Sequence, residues 1–399
     1  MTPNLLAAHL FAAYDPFCLH HLRPSNCRHA VITAGLRERV AEHPELFRME
    51  ELGRSIEGRS ISMVGCGRGP LRVLLWSQMH GDEPTATLAL MDIFHFLGQR
   101  FSSEGWVREM LEQITIHAIP MLNPDGAERC KRHTAVQVDM NRDARRLITP
   151  EARLLKETRQ KVSPTFGFNL HDQDLSSVGG TDQVAALALL APALDEKKSA
   201  PLVRVRALRI ISLLTRMLNQ FIEGHITTYD DSFEPRAFGD SMQAWGTSTV
   251  LIESGHWPKD PEKLFIRKLN FVAILSALRA IGNGSYQDAD FEISTALPQN
   301  GTRMFDVIIR GVTLEHSSRW QQKVDLGLIF PGPQRDRLKS PQLQSPVIAT
   351  IKQIGDLEGY GGLEVMEANG RKLPAEKICI DKEFSLNEFL DGLQLYYPR

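Results

Sequence analysis

Short apolar runs alternate with helical periodicities over roughly the first 280 residues of the chain. The runs predicted as strands are bounded by glycine or proline: Ile61–Val64, Leu71–Ser77, Ile114–Ile119, Phe166–Leu170 and Thr247–Ile252. Apolar residues at helical spacing predict helices over Thr85–Leu97, Pro201–Glu223 and Pro261–Ala280, whereas Val184–Leu190 fits a strand or a helix. This alternation predicts an α/β fold, with a mostly parallel or mixed sheet covered by helices on both faces.

The pattern changes after Gly284, where helical signals fade. Strands are predicted over Phe305–Ile309, Val324–Ile329, Val347–Ile354 and Lys377–Ile380, followed by a helix over Ser385–Leu395. We therefore expect three parts. These are an N-terminal helical segment over residues 1–50, an α/β domain over residues 51–284, and a small β-rich domain over residues 285–399.

Composition excludes several classes of partner. The formal net charge is −2 and the pI is near 6.7, so no general attraction to nucleic acid or anionic lipid is expected. No apolar run approaches the length of a membrane span, and the first twenty residues do not resemble a secretory signal. Five scattered cysteines are typical of a reducing compartment, which predicts a cytoplasmic protein. The oligomeric state stays open.

Three sites on the chain place metal-binding or acid-base groups next to apolar strands. His80 and Glu83 follow one strand and precede a helix, His171 ends another strand, and Glu253 follows a third. Open α/β sheets place their sites at the carboxyl ends of strands, and two histidines with a glutamate leave a fourth zinc position for water. Taken singly, each group also fits a capped helix, a core histidine or a structural ion pair.

A polar cluster lies between the first two of these strands. The turn Asn123–Gly126 is followed by Arg132 and then by the run Asp139-Met140-Asn141-Arg142-Asp143. Two arginines and an asparagine beside a metal cation would cost electrostatic energy unless an anion binds between them. Arginine is suited to bidentate recognition of a carboxylate, although a solvated loop with ion pairs fits the same residues.

In chain order these motifs resemble the zinc metallocarboxypeptidases of the carboxypeptidase A type, in their bacterial branch, which is related to succinylglutamate desuccinylase and aspartoacylase. The resemblance covers roughly residues 50–282 and includes Ser55–Arg59, which is similar to a strand-initial turn of the family. It implies that residues 51–284 are a zinc carboxypeptidase-like catalytic domain that holds one Zn²⁺ per chain. We interpret the β-rich domain over residues 285–399 as an accessory domain.

The resemblance also implies a role for each matching residue. His80, Glu83 and His171 match the zinc ligands, and Asp139 matches the carboxylate that orients the first histidine. Arg132 matches the arginine that stabilises the oxyanion, and Asn141 and Arg142 match the pair that binds the terminal carboxylate of the substrate. Glu253 matches the general base.

Two positions depart from the family pattern. Peptidases of the family usually have a tyrosine some twenty residues before the catalytic glutamate. Here Tyr229 lies near that distance, and no tyrosine lies between Tyr229 and Tyr286. Gln137 stands where the family usually has glycine. The departures leave the contribution of Tyr229 and the side-chain preference open.

Three functions are compatible with these residues. The first is a metallocarboxypeptidase that hydrolyses the C-terminal amide bond of a peptide with metal-activated water. The second is a zinc-dependent deacylase of N-acyl amino acids, similar to desuccinylases and aspartoacylases, which would also need a free carboxylate on its substrate. The third, of another class, is a catalytically inactive binding protein on a peptidase fold. The turn Asn123–Gly126 favours the peptidase, whereas the unmatched tyrosine and the β-rich C-terminal region favour the deacylase.

Overall fold

The computed structural model describes residues 2–317, 320–330 and 347–395. The chain forms two compact units. The first comprises Met1–Gln173, Leu187–Ser254 and Phe265–Gln299, and the second comprises Asp174–Ala186, Gly255–Leu264 and the described part of Asn300–Arg399. The boundaries predicted from the sequence, at residues 50 and 284, stay a prediction.

The first unit is built on one mixed sheet of eight strands. Its strands are β1 (Phe47–Arg54), β2 (Ser60–Gly67), β3 (Leu71–Ser77), β4 (Ile114–Ile119), β5 (Phe166–Asp172), β7 (Leu187–Leu190), β8 (Ile226–Thr227) and β9 (Ser248–Ser254). Their order is β1-β2-β4-β3-β5-β9-β7-β8. The central strands β4, β3, β5 and β9 run parallel, and antiparallel pairs flank them on both sides.

The central strands are apolar because helices cover both faces of the sheet. Most residues of β3, β5 and β9 are buried along their length, as expected for parallel strands in the middle of an α/β sheet. The helices are α1 (Pro3–Ala13), α2 (His29–Glu42), α3 (Thr85–Arg100), α4 (Gly105–Gln113), α5 (Pro124–Arg129), α6 (Pro150–Val162), α7 (Leu202–Ile222), α8 (Phe238–Ala244), α9 (Leu264–Asn283) and α10 (Glu292–Thr295). Among the described helices, none is both long enough and apolar enough to cross a membrane.

A buried ion pair fastens the N-terminal segment to the helices of the first unit. Asp92 on α3 and Arg267 on α9 are both buried, and Arg267 Nε lies 2.6 Å from Asp92 Oδ2. The Tyr14 hydroxyl donates to Asp92 at 2.7 Å, and the Leu19 amide donates to its other oxygen at 2.9 Å. Arg267 also donates to the Leu22 carbonyl at 2.7 Å. These bonds compensate the desolvation of both charges.

The second unit is β-rich and has its own hydrophobic core. Its strands are β6 (Ser177–Val178), β10 (Asn300–Gly301), β11 (Met304–Ser317), β12 (Trp320–Ile329), β13 (Ile348–Gly355), β14 (Gly361–Glu367), β15 (Lys372–Pro374) and β16 (Glu383–Ser385). The main sheet has the order β14-β11-β12-β13-β16, with β15 paired to β11. The helix α11 (Leu386–Gly392) packs Leu386 and Leu390 into this core, and the Ser385 side chain caps the helix.

The predicted fold class is confirmed: the sheet is mixed, helices cover it, and the C-terminal region is β-rich. Val184–Leu190 proves to contain the strand β7. The strand predicted over Lys377–Ile380 is wrong. The chain there leaves a short helical turn that ends at Lys377, and a single bridge joins Ile380 to Ile351. One bridge does not extend into a ladder; of the apolar residues here, Ile378 packs against the core of the unit and Ile380 is exposed.

Candidate metal centre and active site

The candidate site lies at the carboxyl ends of three neighbouring parallel strands. His80 follows β3 by three residues, and His171 is the second-last residue of β5. Glu253 on β9 is the direct register partner of His171. Side chains in register on neighbouring strands point to the same face, so the sheet presents His171 and Glu253 side by side. The structure thus brings together three groups that are far apart in the sequence.

His80, Glu83 and His171 form the cluster that fits a metal ion. One ligand atom from each residue lies within 4.8 Å of the others, and all three side chains are buried. His80 Nδ1 lies 2.7 Å from Glu83 Oε1, and His171 Nδ1 lies 2.7 Å from Glu83 Oε2. The convergence of two imidazole nitrogens on one carboxylate forms a three-ligand site of the kind that zinc occupies in hydrolases.

Asp139 orients the first of these histidines from the far side of its ring. Its Oδ1 accepts a hydrogen bond from His80 Nε2 at 3.1 Å and another from the Asn141 amide at 2.8 Å. A carboxylate on the remote ring nitrogen keeps a proton there and leaves Nδ1 free to bind a cation. The donor set and this support both fit a zinc ion.

The electrostatics of the cluster suit a cation. Burial alone would lower the pKa of His80, but the Glu83 charge and the hydrogen bonds to Asp139 and Glu83 outweigh it and raise that pKa to about 9. Burial likewise opposes ionisation of Glu83, yet the charge of His80 and the hydrogen bonds from both histidines hold its pKa well below the usual range. Burial lowers the pKa of His171, which favours its neutral, ligating form. The protein therefore keeps a carboxylate ionised where a metal would bind.

Glu253 lies half-buried beside this cluster with a pKa shifted in the opposite direction. Burial raises its pKa well above the ordinary value, and the nearby negative charge of Glu83 raises it further. A bound cation would counter both effects, because it stabilises the ionised carboxylate. Two carboxylates in one site whose environments push their pKa values apart are suited to different roles, one as ligand and one as acid-base group.

Arg132 is held at the edge of the cluster by the two carboxylates that face it. Its Nε donates to Asp139 Oδ2 at 3.1 Å, and its Nη1 lies 3.3 Å from Glu83 Oε1. The side chain is 40% exposed, which leaves part of the guanidinium open to a ligand. Asp139 therefore holds both His80 and Arg132.

Asn141 and Arg142 begin the next turn of the chain. Asn141 Oδ1 accepts a hydrogen bond from the Phe238 amide, at the start of α8, at 2.9 Å. This bond fixes the amide orientation and leaves the Asn141 amino group as the free donor. Arg142 is more open: its side chain is 45% exposed, and its Nε lies 4.0 Å from Glu234 Oε2. Both residues can offer donors to an anion.

The loop that carries His80 packs backbone to backbone against the turn at Asn123. A Cβ added at Gly81 would lie 2.0 Å from the Gly126 carbonyl carbon, so only glycine fits this approach. Asn123 is fully buried and donates from Nδ2 to the carbonyls of Met79 and Arg132. The turn thus fixes the backbone next to His80 and at Arg132.

The structure also locates the positions that depart from the family pattern. Gln137 has φ 63°, a left-handed conformation that glycine adopts at lower cost, which explains the usual glycine at this position. Tyr229 lies half-buried, two residues beyond β8, at the edge of the sheet. Asp172 was not singled out from the sequence. Its amide donates to Glu83 at 3.2 Å, and its carboxylate accepts from Thr85 at the start of α3.

Comparison with known proteins agrees with this geometry. Residues 32–174 match the sequence model of the zinc carboxypeptidases, a stretch that includes His80, Glu83 and His171. This stretch belongs to the zinc carboxypeptidase family. Carboxypeptidase 2 of Trichophyton rubrum is 30% identical over 138 residues, which are 33% of this chain and 25% of that protein. Carboxypeptidase SOL1 of Arabidopsis thaliana is 22% identical over 335 residues, 77% of this chain and 65% of that protein. The chain thus spans about a quarter of the fungal relative's length.

Solved structures carry the same fold as this zinc carboxypeptidase relative. Carboxypeptidase A from Helicoverpa armigera superposes with a TM-score of 0.50 at 16% identity, over 71% of this chain and 80% of that one. The thrombin activatable fibrinolysis inhibitor superposes with a TM-score of 0.52 at 11% identity, over 71% of this chain and 81% of that one. These superpositions show the fold alone, and the match over residues 32–174 confirms the family predicted from the sequence.

Proposed function

We propose that this chain is a zinc-dependent metallocarboxypeptidase that binds one zinc ion and hydrolyses the C-terminal amide bond of a peptide. The proposal rests on one observation: the ligand atoms of His80, Glu83 and His171 lie close together, and Glu253 is the register partner of His171 on the neighbouring strand. The family match over residues 32–174 supports the same reaction class. A cytoplasmic location, which rests on the cysteine content, stays a prediction.

The proposed mechanism assigns a separate task to each side chain. Zinc, when bound by His80, Glu83 and His171, would polarise the scissile carbonyl and make water acidic enough to ionise near neutral pH. Glu253 takes a proton from the attacking water and delivers it to the departing amine. Arg132 donates hydrogen bonds to the oxygen on which negative charge develops. This division matches the unequal environments of Glu83 and Glu253.

Substrate binding is proposed for the turn beyond Asp139. The free amino group of Asn141 and the guanidinium of Arg142 would bind the terminal carboxylate of the peptide. Charge-assisted bonds of this kind are stronger than neutral ones. Because the Asn141 oxygen accepts from the Phe238 amide, its amino group is the part of the side chain available to donate to such a carboxylate. A free carboxylate therefore determines where the peptide is cut.

A substrate panel tests the proposal. It contains a blocked tripeptide and a simple N-acyl amino acid, each with a free carboxylate and as the amide. We expect the tripeptide acid to be cleaved at least as well as the N-acyl amino acid, and both amides to resist cleavage. Preference for the small N-acyl acid would indicate the deacylase instead. Full zinc occupancy without turnover of either compound would indicate an inactive binding protein.

A pair of arginine variants tests the carboxylate site separately. Arg142→Gln should raise KM for the peptide acid, with little change in zinc content. Arg145→Gln is the matched control, since this exposed arginine lies three residues further along the chain and outside the proposed binding pair. Cleavage of acid and amide substrates at equal rates by the unaltered protein would contradict the role of Arg142.

A further inference from the structure

Gln78 occupies an unusual backbone conformation two residues before His80. It follows the last residue of β3 directly and has φ 51°, in the left-handed region that non-glycine residues rarely adopt. Its side chain is almost completely buried. A strained conformation persists only where the surrounding contacts determine it, and such residues cluster at functional sites.

The Gln78 side chain uses its amide in both directions. Nε2 donates to the Gly81 carbonyl at 3.0 Å, within the loop that joins the two ligands His80 and Glu83. Oε1 accepts from the Cys27 thiol at 3.6 Å and lies 3.0 Å from the Thr87 hydroxyl, which shares its one proton between this oxygen and the Pro120 carbonyl at 2.6 Å. The amide group therefore closes the loop on itself and attaches it to α3.

The Gln78 backbone carries a further bond to the opposite wall of the loop. Its carbonyl accepts from the Asn123 amide at 3.0 Å, and Asn123 in turn donates to the carbonyls of Met79 and Arg132. Gln78 thus connects the end of β3, the loop between the ligands, the first turn of α3 and the turn at Asn123. These are the elements that determine where His80 and Glu83 stand.

We propose that Gln78 is a positioning residue that sets the separation of His80 and Glu83 and so tunes the affinity of the metal centre. The inference rests on the proposed zinc site, and it assigns Gln78 no contact with metal or substrate. Glycine at this position would relieve the left-handed conformation but supply none of the three side-chain bonds. Glutamine at this position therefore accepts the strained conformation and supplies bonds that glycine could not.

Two variants separate the bonds from the strain. Gln78→Met keeps the side-chain length but removes the amide, whereas Gln78→Gly removes the side chain and relaxes the backbone. Groups that support metal ligands typically affect metal affinity by about 10–100-fold when removed. We expect both variants to weaken zinc binding on that scale in a chelator competition titration. Turnover at saturating zinc should lose kcat while KM stays near the wild-type value.

The matched control is Gln243→Met. Gln243 is also buried, and its amide donates to the Pro192 carbonyl and accepts from the Thr249 amide. This variant should lower the melting temperature of the metal-free protein about as much as Gln78→Met does. Its zinc affinity should stay within about threefold of wild type, well short of the effect expected at Gln78.

The outcomes distinguish this inference from the proposed function. Zinc affinity in both Gln78 variants equal to that of Gln243→Met would overturn the positioning role, whatever the substrate proves to be. Should Gln78→Met not fold, the Gly variant decides, because it introduces no bulk. Wild-type protein that binds zinc but cleaves no peptide would end the peptidase proposal and leave the affinity test of Gln78 valid.

Discussion

Asp139→Asn should uncouple the two groups that Asp139 holds. The aspartate uses both oxygens as acceptors: Oδ1 takes bonds from His80 and the Asn141 amide, and Oδ2 takes the bond from Arg132. An asparagine of the same shape offers one acceptor oxygen, so its amino group must face a donor on one side. Facing Arg132 breaks the contacts that its Nε and Nη2 make to Oδ2, each at 3.1 Å, but leaves its Nη1 beside Glu83. Facing the other side takes the acceptor away from both His80 Nε2 and the Asn141 amide. We therefore expect the variant to keep His80 in place and to loosen Arg132.

The magnitude follows from the bonds that are lost. Arg132 loses a charge-assisted hydrogen bond, worth about 1.5–3 kcal/mol. If Arg132 then leaves the oxyanion position, kcat falls by up to about 10²–10³-fold, the usual effect of removing one such donor. Zinc affinity should fall less, by about tenfold, since a neutral amide oxygen still accepts from His80. Asp139→Ala removes the bonds to His80, the Asn141 amide and Arg132 together, and zinc affinity should fall by about 100-fold.

The assay combines steady-state kinetics on a peptide acid with zinc competition titration. Asp143→Asn is the matched control, because Asp143 is buried only four residues away and caps Ile148 and Thr149 without contact to His80 or Arg132. It should lower stability and leave zinc affinity unchanged. If Asp139→Asn retains wild-type kcat and zinc affinity, Asp139 does not hold these groups in solution.

Three further predictions concern acid-base chemistry and stability. Glu253→Gln should retain zinc and lose about 10²–10⁴-fold in kcat, and near-normal turnover with a lowered melting temperature would make Glu253 a structural residue. The pair between His80 and Glu83 in zinc-free protein should stabilise the fold fully below pH 6.5, and this stability should be lost as pH rises through about 9, because the pKa of His80 is raised from 6.5 to about 9. Melting temperatures measured at pH 6 and pH 10 check this. If His80→Ala loses as much melting temperature between these two pH values as the wild type, the prediction is refuted. Arg267→Met leaves Asp92 buried without its partner and should cost about 3–5 kcal/mol in urea unfolding, a loss that an exposed pair would not show.

The sequence predicted the centre of the fold better than its periphery. The runs that became β3, β5 and β9 are apolar throughout because both faces are covered, and such runs are visible in the sequence. The edge strand β1 was not predicted. Its sequence Phe-Arg-Met-Glu-Glu-Leu-Gly-Arg buries few residues, as an edge strand with one solvated side does.

The residues of the candidate site also differ in how well the sequence predicts them. The predicted metal ligands and general base lie at or just beyond the ends of apolar strands, where a polar residue is a clear signal in the sequence. The structure brings these residues together: His80, Glu83, His171 and Glu253. Gln78 gave no such signal. Its conformation and its bonds depend on Cys27 and Thr87, partners from other elements of the fold, and no local pattern encodes them.

The pairing of β5 with β9 makes the candidate site sensitive to the length of one strand. Side chains alternate between the faces of a sheet, and His171 stands directly opposite Glu253. Loss of a single residue within β9 would bring Ile252 or Ser254 opposite His171 and turn the carboxylate to the other face of the sheet. The long connection through α7 and α8 can change in length during evolution without this effect. Homologous chains that keep the chemistry should therefore vary in the connection and preserve the residue count at the strand end.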